Sequence, residues 1–291
     1  MRRQKAFMLY KQQQMKKNQD AGRDKRREKK RAEKLGIPLP DKGPKQVPHT
    51  LDSLREKDVT MVEEDDEELY QEEATDAYAS YFTKAYEPKV LLTCSDNPHK
   101  KTRSFILELC KMIPGSKPVW RKKTSVQSVI KQAADHGYTD VLIVNEDRRV
   151  PNAMLVVHLP EGPTALFRIS NPKICKEINK DYKDISFHRP EVILNNFKTR
   201  LGRFIARMLG ALFHYDPEFK GRRVCTFHNQ RDYIFFRHHR YQFKDTEKVR
   251  LHEVGPRFTL ILQWLQEGAF EGDFEWKMKS EMRTSRRRFF L

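Results

Sequence analysis

No Cys-x-x-Cys pair occurs in this chain; its four cysteines, Cys94, Cys110, Cys175 and Cys225, lie far apart. A zinc ribbon is therefore not expected, and reduced thiols in a cytosolic or nuclear compartment are. The adjacent His238 and His239 cannot both face one metal from a regular strand, so no metal site is read. No apolar run approaches the ~20 residues that cross a bilayer. The basic start Met1-Arg2-Arg3-Gln4-Lys5 leads into no apolar signal core, and no membrane is expected as a partner. Walker loops, nucleophile elbows and His-Glu-x-x-His helices are also missing. Asp232 and His228 are scattered acid–base candidates among basic neighbours, whose company a static RNA-binding surface explains more simply. A nuclease built on Glu146 and Asp147 would need further carboxylates to hold two metals. The sequence thus predicts no catalytic activity, no cofactor and no small-molecule substrate.

What is present is charge. Lysine and arginine number 57 against 40 acidic residues, for a net charge of +17. A pI near 9.7 points to an anionic partner, most often nucleic acid. Residues 1–34 carry fourteen lysines and arginines against four acidic residues. Helix is possible there, but nothing packs against it, so it is expected to be frayed alone and ordered on RNA or a partner. The same clusters fit a nuclear or nucleolar address. Pro38, Pro40, Pro44 and Pro48 make residues 35–57 an extended linker. Residues 58–73 then hold nine carboxylates and no lysine or arginine. This acidic patch either shields the chain's own RNA-binding surface, holds a basic partner, or is a solvated loop.

The folded part begins near Lys89. Buried-type strands are expected at 90–94, 140–144, 154–157 and 165–169, with a short strand at Val119-Trp120. Helices are expected from about Phe105 to Ile113 and from Ser125 to His136. Residues 145–151 are expected as a loop. A second series follows: a strand at 192–196, a helix from Thr199 to Phe213, an aromatic hairpin, and strands at 248–252 and 258–262. Lys101-Thr102-Arg103 and Lys198-Thr199-Arg200 precede the two main helices, and Gly162-Pro163 and Gly255-Pro256 open matching strands at nearly the same offset. A duplicated α/β unit explains this recurrence. The expected organisation is a basic arm and linker (1–57), an acidic linker (58–85), two similar halves (86–188 and 189–271) and a basic, aromatic tail (272–291).

The hairpin Arg222–Tyr241 is the most distinctive stretch. Along its second strand Tyr233, Phe235, Arg237 and His239 fall on one face, and Ile234, Phe236, His238 and Arg240 on the other. Neither face is purely apolar, which suits a surface that grips phosphates and stacks a base. Lys198, Arg200, Arg203, Arg222, Arg223, Arg231, Arg237 and Arg240 are the expected phosphate contacts, joined by Lys101, Arg103 and the tail cluster Arg286, Arg287 and Arg288. Tyr233, Phe235 and Tyr241 stand between core and stacking roles, with core the commoner role for strand aromatics.

Ile193–Gly202, the hairpin and Glu253–Leu260 together resemble a Brix domain. The Asn145–Arg148 stretch, the turn Leu159–Ala165 and the closing Thr284–Phe289 narrow the likeness to one group of paralogues. The resemblance covers most of residues 49–291. It implies an α/β fold of mixed sheets in two halves, similar to the anticodon-binding domains of class II aminoacyl-tRNA synthetases. It also implies a eukaryotic, non-catalytic assembly factor of the large ribosomal subunit, in the nucleus and nucleolus. Its expected partners are pre-ribosomal RNA (large-subunit rRNA, 5.8S and the adjoining internal spacer), a Mak-type assembly factor and other pre-60S proteins. The other reading is a protein-binding scaffold whose basic arms only add RNA affinity.

Overall fold

The computed structural model describes residues 2–35, 47–50, 53–62, 66–180, 184–245, 248–279, 282 and 288–291. The chain divides into two units, 1–49 and 50–291. In the first, α1 (Arg2–Leu35) is one continuous helix. Most of the expected proline-rich linker lies outside the described residues.

The second unit runs α2 (Glu67–Thr75), α3 (Ala79–Phe82), β1 (Val90–Cys94), α4 (Lys100–Met112), β2 (Lys117–Pro118), α5 (Val126–Asp135), β3 (Asp140–Asp147), β4 (Val150–His158) and β5 (Thr164–Lys173). It continues through α6 (Cys175–Ile178), β6 (Glu191–Asn195), α7 (Arg200–Ala211), a 3-10 turn (Phe219–Gly221), β7 (Arg223–Gln230), β8 (Tyr233–Phe243), β9 (Val249–Glu253), β10 (Arg257–Gln266) and β11 (Phe274–Lys277). All eleven strands form one sheet in the order β2-β1-β3-β4-β5-β10-β8-β7-β6, with β9 on β8 and β11 on β10.

The repeat read from the sequence is visible in this topology. In β1-α4-β3-β4-β5 the first two strands are parallel and the rest antiparallel. The same holds for β6-α7-β7-β8-β10. The halves share one sheet, because β5 and β10 pair antiparallel from Arg257–Lys173 to Gln266–Thr164. β2 and α5 are extra to the first half, where the second has only its 3-10 turn.

Helical spacing decides which side chains enter the core. Phe105, Ile106 and Leu109 of α4 and Ile205, Met208 and Leu209 of α7 join Leu92, Phe167, Phe236, Phe258 and Leu260 of the sheet in one cluster. Phe258 stacks on Phe236 at 4.6 Å and meets Phe105 edge-on at 5.4 Å, tying both halves together. Each such buried ring contributes about 1.5–3 kcal/mol. Ser125 Oγ and Thr199 Oγ1 accept from the N–H of Ser128 (3.2 Å) and Gly202 (2.9 Å), so both helices start at side-chain caps. On the other sheet face, Val129, Ile130 and Ala133 of α5 pack on Val141, Ile143, Leu155 and Val157 of the first half. Among the described residues of 50–291 no helix packs on that face in the second half.

Residues 145–151, expected as a loop, are strand ends around a two-residue turn. Arg148 and Arg149 have φ of 49° and 65°. The corresponding turn of the second half, Arg231-Asp232, has φ of 53° and 64°. Both are primed hairpin turns built without glycine, so the usual Asn-Gly or Asp-Gly signal is missing at each.

The alternation read for β8 holds, and its faces are now told apart. Ile234, Phe236 and His238 are buried, whereas Tyr233, Phe235, Arg237 and His239 lie on the helix-free face. His238 survives in the core because both nitrogens are used. Its Nδ1 donates to Gly255 O (2.6 Å), which leaves Nε2 to accept from Arg223 Nε (3.2 Å). Burial first, and Arg223 second, hold the imidazole down to about 4. A histidine that is neutral when folded and ordinary when unfolded loses stability as pH falls from 6.5 toward 4, because the unfolded chain takes the proton first. The expected loss is about 2 kcal/mol between pH 7.5 and 5. Urea unfolding of the wild type and His238→Gln at both pH values checks this; an equal pH dependence in the two proteins contradicts it.

Candidate nucleic-acid interface

Arg222 and Arg240 meet through the local geometry of the hairpin. Arg222 ends the 3-10 turn in the left-handed region, φ 47°, and its carbonyl accepts from Tyr241 N at 2.9 Å. The register sets Arg240 opposite Arg223 on β7 and opposite His252 on β9. Gln242 lies opposite Arg250. The result is a cleft of about 600 Å³ whose described lining includes Lys220, Arg222, Arg240, Arg250 and His252 and no carboxylate. All five cationic or titratable side chains are exposed. Lys220, Arg250 and His252 were not among the expected contacts. Strand parity could have found Arg250 and His252 once β9 was paired with β8, but no local pattern announces that register.

Arg223 must be withdrawn as a phosphate contact. It is 2% exposed, and its guanidinium bonds His238, Ser186 O and His188 O. Burial lowers its pKa from the usual arginine range. Arg222 and Arg223 are neighbours, yet the left-handed residue at 222 turns the chain so that one faces water and the next enters the core.

Arg231 and Arg288 border a second cleft, of about 660 Å³, on the helix-free face, with Arg168, Tyr233 and Phe235. Tyr233 is 48% exposed, and Phe235 and Tyr241 are half-buried. The core aromatics of this hairpin are instead Phe227 and Phe236. Asp232 is no free acid here: one carboxylate oxygen accepts from Phe290 N (2.7 Å) and Leu291 N (2.9 Å). Burial nonetheless raises its pKa. Asn229 Nδ2 donates to Leu291 O at 2.8 Å, and Thr199 Oγ1 to Phe290 O at 2.6 Å. A Cβ at Gly202 would stand 2.6 Å from the Leu291 carbonyl carbon, so this docking needs glycine there.

The remaining expected contacts are dispersed. Arg237 is half-buried, donates to Phe236 O (2.7 Å) and lies 3.9 Å from Glu253. Lys101 pairs with Glu177 at 2.8 Å, whereas Arg103 is exposed, 5.9 Å over the Trp120 ring. Lys198 is exposed at the start of α7. Arg288 pairs with Glu56 at 3.0 Å, and Arg286 and Arg287 lie outside the described residues. Glu146, considered above for metal chemistry, is engaged by His99 Nδ1 at 2.5 Å and His99 N at 2.9 Å. No group of three or more metal-ligating side chains occurs among the described residues.

Arg200 and Arg203 are occupied from within the chain. The acidic segment forms α2, capped by Asp66, rather than a loop. Arg200 bonds Glu68 and Glu72 at 3.0 Å each, and Arg203 bonds Glu73 at 2.9 Å. Arg207 grips Asp76 with Nε (2.6 Å) and Nη2 (2.8 Å) and sits 4.0 Å over the Phe82 ring. Buried Leu69, Tyr78 and Tyr81 anchor this strap, and Tyr81 Oη donates to Phe213 O at 2.9 Å. Of the readings open for the acidic patch, self-shielding of a basic helix face matches this geometry.

Two joined β-α-β meanders carrying a cationic hairpin define the class: the Brix domain signature matches residues 95–264, and the chain belongs to the Brix domain family. It is 54% identical to the probable ribosome production factor 1 of Drosophila melanogaster, over 92% of this chain and 69% of that one. It is 48% identical to ribosome production factor 1 of Mus musculus, over 100% of this chain and 82% of that one. Among solved structures, a probable ribosomal biogenesis protein from Aeropyrum pernix K1 aligns with a TM-score of 0.46 at 15% identity, over 66% of this chain and 99% of that one.

The strap yields a graded expectation. Arg207 and Asp76 are nearly buried, with side chains 12% and 11% exposed. Arg207→Leu should therefore cost about 2–4 kcal/mol by stranding Asp76. Arg200 is far more exposed, so solvent screens its pairs and Arg200→Leu should destabilise much less than Arg207→Leu. Chemical denaturation of both variants measures the difference.

Proposed function

We propose that this chain is a non-catalytic, RNA-binding assembly factor of the large ribosomal subunit. The observation that carries the reading is the cleft of Lys220, Arg222, Arg240, Arg250 and His252, with no carboxylate in its described lining. Several other arginines are paired: those of α7 with α2, Arg257 with Glu253 at 2.9 Å, and Arg189 with Glu218 at 3.0 Å. Cations held at a sheet edge without a carboxylate attract phosphates and release condensed counterions on binding. Tyr233, Phe235 and Arg231 on the helix-free face add rings and charge that suit an unstacked base.

Similarity to ribosome production factor 1 supports ribosome production as the process. Within this reading the RNA is the 5.8S and 5′ large-subunit region with its adjoining internal spacer. The protein partner is a Mak-type assembly factor, and the compartment is the nucleolus. These finer assignments follow the family resemblance. Catalysis is not part of the proposal, since Asp232 and Glu146 are spent on hydrogen bonds within the chain.

Arg222→Glu, Arg240→Glu and Arg250→Glu combined should weaken binding to pre-rRNA at least tenfold and leave the melting temperature unchanged. The slope of log affinity against log salt should shrink by about 2–3, at roughly 0.7–0.9 for each phosphate no longer neutralised. An unchanged affinity and slope refute the assignment. Arg223→Glu, by contrast, should unfold the protein.

A further inference from the structure

The ribbon formed by β8 and β9 has a second face and a free edge. Register places Tyr241 opposite Leu251 and Phe243 opposite Val249. Opposed residues share a face, so these four form one row, alternating with the cationic Arg240, Arg250 and His252. The Tyr241 and Phe243 rings meet edge-on at 5.5 Å. Tyr241 Oη bonds Glu191 and fixes the base of the row. Three of the four are largely exposed: Phe243 62%, Val249 48% and Leu251 62%. Clustered apolar side chains at a sheet edge are unusual on a chain carrying +17.

Among the described residues β9 pairs with β8 alone. Val254 N donates to His238 O (3.0 Å) at one end of the ladder, and Lys244 N to Lys248 O (2.9 Å) at the other. In an antiparallel pair, bonded and non-bonded positions alternate. The even-numbered residues of β9 therefore bond β8, and Val249, Leu251 and Glu253 turn their N–H and C=O groups outward. The residues with outward backbone groups include two members of the apolar row. Such an edge is the template that strand addition uses.

We propose that the free edge of β9 is a strand-addition site for an extended segment of a partner protein. Its alternate apolar side chains would cover Tyr241, Phe243, Val249 and Leu251, and its flanks would be acidic. Only a polypeptide strand satisfies the outward N–H and C=O groups in sequence; RNA offers no such ladder. Val249 and Leu251 are aliphatic and offer no ring on which a base could stack. A second copy of this chain is disfavoured by charge, because edge-to-edge pairing would bring Lys248 and Arg250 of both copies together. Lys244, Lys248 and Arg250, exposed at and beside the same strands, favour carboxylates in the partner's flanks.

Leu251→Pro tests the backbone part of this directly. Proline at an outward-facing edge position removes no bond to β8, so the fold should hold. The full-length, tagged chain carries a photoreactive benzophenone amino acid at Val249 and is crosslinked within isolated pre-ribosomal particles. A polypeptide crosslink is expected. It should fall at least tenfold in Leu251→Pro and stay within about threefold in Leu251→Val, which keeps both the N–H and an apolar side chain. A crosslink to RNA, to a second copy of the chain, or one indifferent to the proline overturns the proposal, as does the absence of any crosslink. Hydrogen exchange of the unmodified chain is a check that needs no variant. The Leu251 and Glu253 amides should exchange at least tenfold more slowly in the particle than in the free protein, and equal rates overturn the proposal.

Discussion

The antiparallel pairing of β5 with β10 is the constraint on which the rest of this structure depends. It runs from Arg257–Lys173 to Gln266–Thr164 and turns two meanders into one sheet. Phe258 sits at the junction, stacked on Phe236 of its own half and edge-on to Phe105 of the other. With a shared sheet, α4 and α7 bury their apolar stripes in a single core instead of two small ones. A larger common core buries a greater fraction of its surface, which matters in a chain with so high a charge. Self-repulsion from +17 works against compactness, and the fold opposes it locally.

That local opposition is the acidic strap. α7 must bury Ile205, Met208 and Leu209 on one side and carries Arg200, Arg203 and Arg207 on the other. Without α2, these arginines would form a cationic face as strong as the cleft at β8. Glu68, Glu72, Glu73 and Asp76 neutralise it. The opposing charges leave the cleft of Arg222, Arg240 and Arg250 as a place where cations converge unopposed. Selectivity for one surface thus comes as much from covering the alternative as from building the site.

Much of the fold was legible in the sequence. The helix expected from Ser125 to His136 is α5 to within a residue at each end, and the duplicated unit is read from two short recurrences at nearly constant offset. Less was legible where local chemistry misleads. Arg148-Arg149 and Arg231-Asp232 adopt primed turns that sequence normally marks with glycine. The acidic run at 58–73 is read as a shield, a partner site or a solvated loop and not as a helix, because only contact with α7 makes a helix of Glu67–Thr75 worthwhile. For the site, residue type pointed to Arg222 and Arg240 correctly and to Arg223 incorrectly. Burial of an arginine depends on carbonyls supplied by Ser186 and His188, some 35 residues away in sequence, and nothing near Arg223 signals them. The even distribution of arginine along the hairpin hid a sharp division between paired and unpaired groups.

That division follows from strand alternation carried past the edge of the core. Inside the sheet, alternation separates Ile234, Phe236 and His238 from Tyr233, Phe235 and Arg237. Beyond the core the same alternation continues along β8 and β9. Arg240, Arg250 and His252 then occupy one surface of a ribbon that narrows to two strands beyond the Arg223–Arg240 pair, and Tyr241, Phe243, Val249 and Leu251 the other. An isolated two-stranded ribbon is only marginally stable in water, so whatever covers one surface also steadies the other. A strand added to β9 would make the ribbon three-stranded and fix the spacing of the cations on its reverse. Polyanion affinity and protein docking would then be coupled through the stiffness of the strands that carry both surfaces.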